Sequence, residues 1–134
     1  MRTQPCDAGI RRARLLKAEQ FIDTANLSRD MAGRDEDVAD VYVTLCVLAG
    51  IAAADVICCV RLGEHARGEN HNEAVGLLKK ADKNAANYLN TLLNLKTKAS
   101  YGYLSATAEE FRRAGRAAAA LVEEARRAHT STGV

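Results

Sequence analysis

Apolar residues along this chain recur at helical spacing almost throughout, and in one stretch they nearly exclude everything else. From Val38 to Arg61, 19 of 24 residues are Ala, Val, Ile, Leu, Tyr or Cys. A helix apolar on every side is buried on several sides at once, so this stretch is expected to be the central helix. It should continue to about Leu62 and stop at Gly63. Before it, Leu15, Ala18, Ile22 and Ala25, widened by Leu16 and Phe21, mark one face of a helix over residues 8–28, with Asp7 as a candidate N-cap. Gly33 and the charged run Arg34 to Asp37 separate the two helices and put acids at the start of the second, where the helix dipole favours them.

After the central helix comes a polar stretch, residues 63–73. Within it Asn70 and Glu73 have the spacing of a capping box. Ala74, Leu78, Ala81, Ala85, Tyr88, Leu92, Leu95 and Ala99 then alternate steps of four and three, which predicts one helical face across the span. Asp82 is itself a plausible cap, so this span is either one helix or two co-directed segments. Gly102 closes it. Thr107 and Glu110 form a second capping box, and Phe111, Ala114, Ala118, Leu121, Ala125 and Ala128 supply the buried face of the last helix. The pattern predicts an all-α, up-and-down four-helix bundle of four to five helices. A single domain spans residues 8–128, between a frayed tail at 1–7 and a disordered tail at 129–134.

Composition adds exclusions. A length of 134 residues is enough for a real core, and a net charge of +2 does not identify a nucleic-acid binder. With no Trp and two Phe, an aromatic platform for stacking single strands is not expected. Asp40 and Asp55 bracket only 14 residues of the central helix, short of the ~18 apolar residues of a span. No apolar leader precedes the domain, so a soluble, cytoplasmic protein without a membrane partner is expected. Cys6, Cys46, Cys58 and Cys59 lack zinc-ligand spacing and read as buried thiols in a reducing compartment. Asp55, alone among apolar neighbours, should pair with a Lys or Arg from another helix. Leu48 and Ile57 are expected in the centre of the core.

Candidate chemistry is concentrated in two places. In the polar stretch, Arg61 precedes His65 and Arg67 precedes His71 by four residues. Such pairs can serve phosphodiester cleavage, with His moving the proton and Arg holding charge on phosphate, although a polar interhelical turn explains them equally well. Glu64, His65, Glu69 and His71 match no standard metal site, and neither a metal nor a cofactor is expected. Arg11, Arg12, Arg14 and Lys17 crowd the start of the first helix, either as a basic binding edge or as a solvated face. The second place is residues 96–103, LysThrLysAlaSerTyrGlyTyr.

The order of these features is a charged first helix, an apolar second helix with an internal Asp, a polar turn, and a helix ending Lys-Ala-Ser-Tyr-Gly. It resembles the HEPN family of prokaryotic helical bundles across roughly residues 8–128. The resemblance implies a homodimer, a ribonuclease motif of Arg and His near this helix end, and, in toxin–antitoxin pairs, a nucleotidyltransferase partner that modifies a Tyr. Against that motif Lys96 stands in the place of Arg, Thr97 of Asn and Tyr101 of His, while Tyr103 matches the final Tyr. Lysine lacks the bidentate fork of arginine, and a phenol is a poor proton shuttle at neutral pH. The expectation is therefore a non-catalytic, dimeric binding module for nucleotide, nucleic acid or a protein partner. Lys96, Lys98, Tyr101 and Tyr103 are its candidate phosphate-binding residues. The alternatives are a metal-independent endoribonuclease using Arg61, His65, Arg67 or His71, or a purely structural or regulatory bundle.

Overall fold

The computed structural model describes residues 2–68 and 70–133, and it is an all-α bundle with one small two-stranded sheet. Helix α1 (Ala8–Met31) is capped by Asp7, whose Oδ1 accepts the Ile10 N–H at 2.9 Å. A 3-10 turn at Asp35–Asp37 leads into α2 (Ala39–Leu62). That helix stops where Gly63 adopts φ +74, a left-handed conformation that glycine enters without steric cost. Helix α3 (His71–Ala81) is capped by Asn70, α4 (Lys83–Tyr101) by Asp82, and α5 (Ala108–Thr130) by the reciprocal Thr107–Glu110 box.

Ion pairs and stacks fix the directions. Arg14 meets Asp55 and Arg29 lies over Tyr42, so α1 and α2 are antiparallel. Tyr42 stacks on Phe111 at 4.0 Å and Arg61 reaches Glu124, so α2 and α5 run parallel. Lys98 pairs with Glu110, which makes α4 antiparallel to α5. Helices α1, α2, α4 and α5 thus alternate in direction, with α2 packed against all the other helices. Its small residues allow this. At Gly50 a Cβ would collide with Leu92, and one at Gly115 would collide with the Tyr42 hydroxyl. By length and composition α2 could cross a membrane, but most of its apolar surface is covered by the other helices.

The structure corrects several sequence expectations. The span 74–99 is neither one helix nor two co-directed segments. Asp82 is extended (φ −162, ψ 108), and α3 folds back on α4 so that His71 reaches Asn90. The even spacing breaks there: Tyr88 points outward, and Ala86 and Leu89 are buried instead. Leu48 is 37% exposed whereas Ile57 is fully buried, and Leu16 does not join the core. The N-terminal tail is not frayed. Thr3–Pro5 forms β1, antiparallel to β2 (Glu64–Ala66), and Cys6 is disulfide-bonded to Cys59. Only Cys46 and Cys58 are free, so the cysteines no longer argue for a reducing compartment. Helix α5 continues to Thr130, beyond the expected domain end at 128.

Candidate functional site

The face where α3 folds back on α4, against α2, holds a cleft of about 240 Å³. Leu48, Ile51 and Ala54 of α2 and Leu89 and Leu93 of α4 give it apolar walls. Asp55, Asn70, His71 and Lys96 are the polar groups that converge on it. An apolar pocket with a few converging polar groups is the usual form of a small-ligand site.

Each polar group is held by a different element. Asp55 Oδ2 accepts from Arg14 Nε at 2.9 Å and lies 2.7 Å from Arg14 Nη2, as expected for an acid set among apolar neighbours in the middle of the helix. Its Oδ1 faces His65 Nδ1 at 3.9 Å. Burial pushes the Asp55 carboxyl above the usual carboxylate range, and the charges of Arg14 and His65 oppose that rise. His71 stands in the first turn of α3, its Nε2 donating to Asn90 Oδ1 at 3.1 Å. Lys96 projects from α4 on the side facing α2 and α3. Cys58 also lines the cleft, its thiol pushed up to about 12 by burial and so kept in its unreactive protonated form.

No protein-family model matches the chain, and no curated protein matches it.

The site residues read from sequence are distributed over several faces. Lys96 and His71 share the cleft. Lys98 instead points at α5, donating from Nζ to Glu110 Oε1 at 2.7 Å. Tyr101 and Tyr103 are 79% and 96% exposed, outside the cleft. The first Arg/His pair is drawn apart: Arg61 turns to Glu124 at 3.6 Å, while His65 Nδ1 donates to the Ala66 carbonyl at 2.9 Å. Arg67 contributes its backbone N–H to Arg2 O. Glu69 lies outside the described residues; among those described, no group of three His, Cys, Asp or Glu side chains could hold a metal. Asp55 was visible in the sequence as an isolated acid. The walls Ile51, Leu89 and Leu93 were not, because their juxtaposition depends on the chain reversal at Asp82.

Proposed function

We propose that this chain is a non-catalytic, HEPN-like binding module that works as a homodimer and holds a nucleotide-type ligand in the cleft between α2, α3 and α4. The observation that carries this reading is the convergence of Lys96 and His71 on a cleft with apolar walls. The walls suit a flat base, and the Lys96 ammonium suits a phosphate as a point charge. Asp55 and Asn70 add polar groups for a base edge. The separate engagement of Arg61 and His65 supports binding over cleavage, because that pair does not stand ready to brace and protonate one phosphate. In this reading Tyr103, almost fully exposed, is accessible to a partner nucleotidyltransferase of a toxin–antitoxin pair.

The test is calorimetric titration with AMP and with a short single-stranded RNA, alongside incubation of labelled RNA in EDTA. Lys96→Ala should weaken AMP binding by about tenfold, the worth of one charge-assisted contact, while Lys98→Ala leaves it unchanged. Metal-free cleavage abolished by His65→Ala or His71→Ala would replace this reading with a ribonuclease.

A further inference from the structure

On the side formed by β2 and the start of α3, the cleft is walled by a short segment that rests on α2, with Ala66 against the core, and on the N-terminal strand. Ala66, Gly68 and His71 line it there, and β2 is three residues long. A two-stranded pairing of that length is marginal in water by itself. On the edge away from α2, this wall is held by the N-terminal segment. The β1–β2 ladder runs from Thr3 opposite Ala66 to Pro5 opposite Glu64. Thr3 Oγ1 donates to Glu64 Oε2 at 3.2 Å, and the Arg67 N–H donates to Arg2 O at 2.9 Å. Gly68 (φ +98) leaves room for Arg2, whose Nη2 lies 2.8 Å from where a Cβ would stand. The segment is fastened to the last turn of α2 by one covalent bond, Cys6–Cys59.

We propose that residues 2–6 are a redox-released strap: with Cys6–Cys59 closed they fix the cleft wall at Ala66, Gly68 and His71, and reduction by a protein dithiol frees that wall and weakens ligand binding in the cleft. The ligand clause rests on the binding reading above; the strap rests on the geometry alone. A thiolate of the dithiol attacks one sulfur and the second thiol resolves the mixed disulfide. Two electrons and two protons pass to Cys6 and Cys59, which become thiols, and the dithiol becomes a disulfide. Cys58, adjacent but kept protonated by burial, does not compete as a nucleophile. Once the bond opens, the three-residue ladder and a few hydrogen bonds alone hold the strap.

Hydrogen exchange read by mass spectrometry on the whole chain, oxidised and after phosphine reduction, tests this, with Cys6→Ser as a reductant-free counterpart and AMP titrated against each form. Amides of residues 64–68 should exchange at least tenfold faster in the reduced chain and in Cys6→Ser. The buried turns of α2, α4 and α5 should be unchanged, and AMP should bind at least fivefold more weakly. Unchanged exchange at 64–68 in a chain shown by its mass to be reduced would overturn the strap. Lost protection in every helix would also overturn it, making the disulfide a general staple. Faster exchange with unchanged AMP affinity would overturn the coupling to the cleft. Should neither form bind AMP, the binding reading fails, and exchange at 64–68 and across the first turn of α3 decides the strap.

Discussion

At Asp55 two opposing effects act on one carboxyl. Burial raises its pKa, and the Arg14 guanidinium and His65 draw it back. Because the folded value ends above the ordinary 3.8, the group favours the fold most with its proton on; that contribution fades as pH rises through the folded value. Carbon-detected NMR should place its midpoint above 3.8, and Arg14→Met should move it higher still. A midpoint that stays or falls in Arg14→Met would mean the pair does not govern the group. Gly50 offers a second residue-scale test. Alanine there would gain about 1 kcal/mol of helix propensity, yet its Cβ collides with Leu92 and presses on Leu121. Overpacking costs roughly 1–3 kcal/mol, so Gly50→Ala should lower the thermal midpoint. An unchanged or higher midpoint would show that α2 and α4 part easily.

Among the elements, those whose periodicity was complete within one helix were legible. Phe111, Ala114, Ala118, Leu121, Ala125 and Ala128 all lie buried on α5, and the Asp7, Asn70 and Thr107 caps accept the N–H bonds their spacing implied. The α3–α4 reversal was not legible, because alternating steps of three and four look alike in one long helix and in two that fold back. The same ambiguity hid the cleft, whose two sides come from either side of Asp82. The disulfide escaped for another reason: its partners stand 53 positions apart in sequence, and only the folded α1–α2 pair brings their Cα atoms to 5.7 Å. Between α4 and α5, Lys98 holds the Glu110 carboxyl below its usual range, helped by the Thr107 N–H. A depressed folded pKa stabilises above the ordinary 4.5 and is lost as pH falls through the folded value. Lys98→Met should therefore return the Glu110 midpoint towards 4.5 and flatten the acid limb of the stability curve. An unmoved midpoint would assign the shift to the cap alone.

In the whole molecule, the other helices cover most of α2, and it is another surface that argues for a dimer. Where α1 ends, α2 begins and α4 passes to α5, the large apolar residues Leu27, Met31, Val41, Tyr101, Tyr103 and Leu104 are exposed at one end of the bundle. Apolar exposure concentrated in this way marks interaction surfaces, and a second copy meeting end to end would cover it. Light scattering at micromolar concentration should give twice the 14.5 kDa chain mass, and Tyr103→Asp with Leu104→Asp should return it to 14.5 kDa. A wild-type protein already at the single-chain mass would remove the dimer. The bond between Cys6 and Cys59 also bears on how the molecule carries mechanical load. Tension applied across the chain enters at the junction of the strap with the end of α2 and bypasses everything between the two cysteines. The helical hairpin of α1 and α2 becomes a closed ring that force cannot unravel. With 53 residue-to-residue steps shielded, the oxidised chain should extend roughly 180 Å less than the reduced one before it is taut.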